Sequence, residues 1–196
     1  VFSAEQEADL LQQALAGDVE AFGQLVLTYQ QPIFNLTYRM LGDPNEAEDA
    51  AQEAFIRAYS NLTQYDVHRS FKTWLFSIAS NHCIDRLRKR RLTWLSIDEP
   101  LPPHPSLVSS EPGPEQSYVE QEKSEFIQDL LKELSPDYRA AVILRYWYDM
   151  SYAEIADALK TTESAIKSRL FRARQSLAEK LENLGIRTSH NPLLAL

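Results

Sequence analysis

The sequence predicts an all-α fold: two small helical domains joined by an extended linker, the C-terminal one carrying a helix-turn-helix. Three observations predict it. Helix caps and apolar residues at helical spacing recur on both sides of a central gap, strand-like alternation does not occur, and the gap holds six prolines between positions 100 and 114. At 196 residues the chain exceeds the usual size of one domain yet is short for two large ones. The division we expect is 1–91, a linker over 92–117, a second domain over 118–184 and a tail over 185–196.

Each element has a local cause. Ser3 followed by Gln6 is a capping box that opens a helix ending near Gly17, and Asp18 can cap the next, running through Phe22, Leu25, Val26 and Tyr29. Pro32 should kink or briefly interrupt that second helix. In the run Gly42-Asp43-Pro44-Asn45-Glu46, glycine ends a helix, aspartate caps the next, and proline and glutamate take its first and third positions. Ala47, Ala50, Ala51, Ala54, Phe55 and Ala58 then form a small-residue face suited to close packing. A further helix starts near Ser70 and runs to about Arg91, with Phe71, Leu75, Ile78, Ala79 and His82 on one side. Pro100, Pro102, Pro103, Pro105, Pro112 and Pro114 exclude helix in the linker. Periodicity returns near Tyr118 and reaches Leu134, and restarts at Ser135-Pro136. Ser151 with Glu154 caps a short helix, and after a turn at Lys160 and Thr161 a longer one carries Ile166, Leu170, Ala173, Leu177 and Leu181 on its inner stripe.

Composition narrows the function classes. No apolar run approaches the roughly 20 residues of a membrane span, and the acidic N-terminal stretch is unlike a signal peptide, so a cytoplasmic protein is expected. The lone Cys83 and four scattered histidines make no zinc cluster, so neither metal nor cofactor is expected. Net charge is −8, but the distribution is uneven. Residues 1–63 carry ten acids against two bases, 64–91 seven bases against two acids, 92–139 ten acids against three bases, and 140–196 eight bases against six acids. Two basic stretches separated by acidic surface fit a chain that touches nucleic acid at two places and a protein elsewhere.

The chemistry lies in those stretches. On the second helix of the helix-turn-helix, Lys167, Ser168, Phe171 and Arg172 fall on the outward half, with Arg169 and Arg174 flanking it and Ser164 near its start. Arginine or lysine suits guanine O6 and N7, a small hydroxyl permits close approach, and flanking cations suit phosphates. The first domain ends in Arg86, Arg88, Lys89, Arg90 and Arg91. Leading into it, on the face opposite the apolar stripe, is a ledge of Thr73, Ser77, Asn81, Ile84, Arg88 and Arg91. The preceding loop, 64–69, places Tyr65 and Asp66 beside Phe71, and aromatics with cations can hold an unstacked base.

Two stretches resemble a known family. Residues 38–42, 46–59, 71–75 and 78–79 look like region 2 of the extracytoplasmic-function sigma factors of bacterial RNA polymerase, and 134–136, 151–156 and 167–174 resemble region 4. The resemblance implies a promoter-reading subunit with no catalytic residues and no small-molecule substrate. It implies docking on the β′ clamp helices of core RNA polymerase through Asp49, Gln52, Glu53 and Phe55, and contact of region 4 with the β flap. It implies capture of the −10 element as single-stranded DNA by the loop at 64–70, with Tyr65, Asp66, Phe71, Thr73, Asn81, Arg88 and Arg91 as its candidate contacts. The −35 element would be read as duplex by Ser164, Lys167, Ser168, Arg169, Arg172 and Arg174. The linker is expected to thread toward the polymerase active-site cleft, and a membrane-bound anti-sigma factor is a possible partner. Thr162, Glu163 and Ser164 stand where many relatives have proline and glycine, and the tail has no family counterpart.

Two other classes explain less. An ordinary helix-turn-helix regulator leaves the acidic helix and the 86–91 cluster idle, and an enzyme lacks an acid–base constellation or a phosphate loop. A linker of about 25 residues spans on the order of 25–30 Å, so the domains can meet. We expect such closure to bury the face carrying Lys167 and Arg172 against acidic surface.

Overall fold

The computed structural model describes residues 3–96 and 125–185, and helices make up all the regular structure among them. The first half comprises α1 (Ala4–Leu15), α2 (Val19–Leu41), α3 (Pro44–Ser60), a 3₁₀ turn (Leu62–Gln64) and α4 (Phe71–Ser96). The second comprises α5 (125–133), α6 (Pro136–Tyr146), α7 (Tyr152–Ala158) and α8 (Glu163–Asn183). The expected linker from 97 onward, the start of the helix expected at Tyr118, and the tail after Gly185 lie outside the described residues.

The caps form as the sequence predicts except at Ser135, which precedes Pro136 at the start of α6 but makes no side-chain cap bond. Ser3 and Gln6 close a reciprocal box on α1, Asp18 accepts from the N–H groups of Glu20 and Ala21, and Asp43 accepts from that of Glu46. Gly42 ends α2 at φ 80°, a left-handed conformation that a residue with a Cβ adopts at a cost. Two boundaries differ from expectation. Pro32 sits inside an α2 that continues unbroken to Leu41. Ile33 and Leu36 just beyond it are buried, so tertiary packing offsets the one ladder bond that proline cannot make. The helix expected to stop near Arg91 runs on to Ser96, because residues 92–96 contain neither glycine nor proline to end it.

The alanine face of α3 does what its size allows. Ala47, Ala50, Ala51, Ala54 and Ala58 are buried, bringing α3 close to α2 and α4, and the Thr37 hydroxyl donates across the gap to the Ala47 carbonyl at 2.8 Å. In the second half, Ile155, Ile166, Leu170 and Ala173 bury the inner faces of α7 and α8 against α6.

The two halves are not held apart. Helices α6 and α7 pack on α4, α6 also meets α2, and the buried apolar side chains of both halves form one continuous cluster. Tyr148 sets its ring edge-on to Phe76 with centroids 4.6 Å apart and donates its hydroxyl to the Pro32 carbonyl at 2.8 Å. The Arg39 guanidinium lies 5.2 Å from the Trp147 ring centroid. Arg139, buried at 7% exposure, reaches the Met40 carbonyl at the end of α2 and the Lys132 and Leu134 carbonyls of its own half. Burial lowers its pKa to about 10, which still leaves the guanidinium charged at neutral pH.

Candidate nucleic-acid interface

Helix α8 is aimed by its neighbours. Ser151 and Glu154 form the expected box on α7: the Ser151 N–H donates to the Glu154 carboxylate at 2.8 Å, and the Glu154 N–H donates back to the Ser151 hydroxyl at 3.2 Å. The Ser151 hydroxyl and N–H hold the Glu154 carboxyl below the usual carboxylate range. The turn bends at Lys160, whose φ of 50° is left-handed, and Thr162 caps α8 by accepting from the Ala165 N–H at 3.2 Å. With Ile166, Leu170 and Ala173 buried, Ser164, Lys167, Ser168, Phe171 and Arg172 face outward and are exposed. The Lys167 ammonium sits over the Tyr152 ring, and Arg172 approaches the Tyr138 hydroxyl at 3.4 Å. Arg169 is half-buried, 3.6 Å from Asp137, and Arg174 is half-buried as well. The expectation that closure hides the Lys167 and Arg172 face is therefore corrected, since that face stays open.

What closure covers is α4. Among the candidate contacts on the ledge, Thr73 is buried, Asn81 donates to the Ala158 carbonyl at 2.9 Å, and Arg88 reaches both oxygens of Asp137. Ile84 is buried between them. The second half also accepts from Lys72, through the Tyr148 carbonyl at 3.2 Å, and pairs Arg69 with Asp157 at 3.0 Å. Arg86 and Arg90 lean instead toward Asp49 and Glu46 of α3, and Arg91 is exposed.

The loop before α4 departs from expectation in its aromatics. Tyr65 and Phe71 are buried, their centroids 5.8 Å apart with Trp74 beside both, and the Tyr65 hydroxyl donates to the Arg69 carbonyl. Their rings form the floor of the loop rather than a surface on which a base could stack. Asp66 is exposed and accepts from the His68 N–H at 3.0 Å. Beside the loop lies a cleft of about 510 Å³ lined by Asn61, Gln64, Arg69, Trp74, Ser77 and Ile78 on one side and by Ala156, Asp157, Lys160 and Thr161 on the other. Half-buried Trp74 is thus the aromatic with a face toward open space, and it was absent from the candidate contacts.

On α3, Asp49 and Gln52 are exposed and Glu53 is half-exposed, its carboxyl held below the usual range by the Arg57 side chain 2.6 Å away. Phe55 is half-buried and packs on the core, so it anchors the helix from below. The apolar residue on the outward face is Ile56, 60% exposed, seven positions from Asp49 and four from Gln52. That spacing was present in the sequence and could have singled it out.

Comparison with known proteins fits this geometry. The model for Sigma-70 region 2 matches residues 25–93, and that for Sigma-70 region 4 matches 125–177. The chain is 38% identical over 179 residues to the ECF RNA polymerase sigma factor SigW of Bacillus subtilis, covering 89% of this chain and 96% of SigW. The chain belongs to the extracytoplasmic-function sigma factors of the sigma-70 family. It is also 32% identical over 190 residues to the RNA polymerase sigma-H factor of Pseudomonas aeruginosa, covering 94% and 98% of the two chains. Among solved structures, CnrH in complex with the cytosolic domain of CnrY aligns with a TM-score of 0.66 at 26% identity, over 91% of this chain and 98% of that one. RpoE bound to the anti-sigma factor NepR from Bartonella quintana aligns with a TM-score of 0.60 at 27% identity, over 84% and 98%.

This sigma factor accordingly acts in promoter-specific transcription initiation, with core RNA polymerase and promoter DNA as its partners. Its region 2 holds α3, the loop and α4, and its region 4 holds the helix-turn-helix. Among the described residues, no helix is long and apolar enough to cross a membrane.

Proposed function

We propose that this sigma factor reads its promoter through two separate surfaces and docks on polymerase through a third. The observation that carries the reading is the outward face of α8, where Lys167, Ser168 and Arg172 stand exposed above a buried inner stripe. That face enters the major groove of the −35 element, Arg172 and Lys167 reading base edges while Ser164 and Ser168 allow close approach, and Arg169 and Arg174 hold phosphates. The −10 element is taken as single-stranded DNA along α4 and its loop by Asp66, Thr73, Asn81, Arg88 and Arg91, with Tyr65 and Phe71 supporting the loop from beneath. Asp49, Gln52 and Glu53 meet the β′ clamp helices, and region 4 meets the β flap. The segment beyond α4, up to about residue 117, links the two domains and threads toward the polymerase cleft.

The chain works by binding, not catalysis, and its place is the cytoplasm with the polymerase. An anti-sigma factor is a fitting partner, because one similar solved structure is a complex of RpoE with the anti-sigma factor NepR. The test is transcription by holoenzyme carrying Arg172→Ala on a library randomised over the upstream element. Discrimination should fall by about 1–3 kcal/mol at one base pair, the usual value of a bidentate base contact. A uniform loss over all sequences contradicts the base-reading role.

A further inference from the structure

Two side chains on one face of α4 each meet an oxygen supplied by the second half, Asn81 the Ala158 carbonyl and Arg88 the Asp137 carboxylate, and Thr73 on the same face is buried. At 1.5 Å per residue the two donors lie about 10 Å apart along the helix. Asp137 also faces Arg169 of α8, so one carboxylate sits between a cation of each proposed DNA surface. These contacts are not incidental to two surfaces that happen to touch. Ile84 is buried among them, and Tyr148 fixes the approach through Phe76 and the Pro32 carbonyl.

From this we infer that region 4 acts as an internal stand-in for the melted strand: in the free protein, the Ala158 carbonyl and the Asp137 carboxylate occupy the Asn81 and Arg88 donors of α4 that single-stranded DNA would use. Strand and region 4 then compete for one face, whereas the α8 face stays available for duplex. Closure is therefore selective, blocking capture of the melted strand until polymerase separates the halves. A chain open about one-tenth of the time binds the strand about tenfold more weakly than a fully open one. The inference rests on the proposal that α4 takes the −10 strand, and its test separates the two.

The experiment uses the full chain with dyes on cysteines placed at the exposed Glu48 and Gln175, while the native Cys83 is buried. Energy transfer reports closure, and a labelled pool of short random single-stranded DNA reports access to α4. Two opening variants are compared: Asp137→Arg, which sets a cation against Arg88 and Arg169, and Tyr148→Ala, which loosens the contact without changing charge. Both should lower energy transfer and bind the pool about tenfold more tightly than the parent, with the gap narrowing as salt rises. Tighter binding by Asp137→Arg alone, with Tyr148→Ala like the parent, overturns the inference as mere added charge. Energy transfer unchanged in both variants shows that no such closure governs the chain. Lower energy transfer with no gain in binding overturns the role of α4 in strand capture, and the inference with it.

Discussion

Nη2 of Arg88 reaches both carboxylate oxygens of Asp137, at 3.0 and 2.8 Å, and so joins residues that lie 49 positions apart in the chain. The guanidinium side is 56% exposed, and exposed ion pairs contribute only about 0.2–1 kcal/mol. Arg88→Ala should therefore change unfolding free energy by less than about 1 kcal/mol in urea titrations. A larger loss would mean that the pair carries the fold rather than tuning closure.

Arg139 is the opposite case, since its guanidinium is buried and serves three carbonyl groups at the junction of α2 with α5 and α6. Arg139→Ala leaves those acceptors without a donor and opens a void, at a cost of about 3 kcal/mol. Urea denaturation followed by circular dichroism reads it. A loss near that of Arg88→Ala would contradict the pinning role.

Cys83 is fully buried on α4, and burial pushes its thiol up to about 12 from an ordinary 9.0. The folded state holds the proton more tightly than the unfolded chain, so this stabilisation is complete below pH 9 and is lost as pH rises toward 12. Wild type should lose stability over that window relative to Cys83→Ala, and its native thiol should resist alkylation at neutral pH. Prompt labelling of the native protein would contradict the burial argument.

The Ser151 cap orients α7 and, through it, the start of α8. Ser151→Ala should cost about 1 kcal/mol of stability, the usual value of such a cap, and leave the bases preferred upstream unchanged. Thermal denaturation and a binding titration on duplex DNA separate the two effects. Altered base preference would mean that the cap also sets the angle of α8.

The helix boundaries were legible where the cause is local. Ser3 with Gln6, Gly42-Asp43-Pro44 and Ser151 with Glu154 each announce a terminus through groups within a few residues, and each forms. The outward face of α8 was legible too, because Ile166, Leu170 and Ala173 fix the inner stripe. Tyr65 and Phe71 misled because an aromatic beside a charged loop fits a stacking platform and a core equally well, and only Trp74 and Tyr29 around them decide. The covered ledge was beyond local reading, since the partners of Asn81 and Arg88 lie in another part of the chain. Arg139 carries only a weak signal in the sequence: it lies three positions before Val142 and four before Ile143, both buried.

Polymerase docking carries its own expectation. Asp49 and Glu53 meet Arg86 and Arg57 only in exposed ion pairs that contribute little to the fold, so Asp49→Lys with Glu53→Lys should leave the circular dichroism spectrum intact. If α3 is, as proposed, a docking surface, binding to core polymerase should weaken, with a reduced salt dependence of the on-rate. Undiminished binding would remove α3 from the docking surface.

The central claim is that this chain gives core polymerase a promoter preference, and run-off transcription on a promoter library tests it most directly. Core polymerase with the protein should start specifically on a subset of templates sharing two short elements, and core polymerase alone should not. Equal, unspecific transcription with and without the protein would contradict the account.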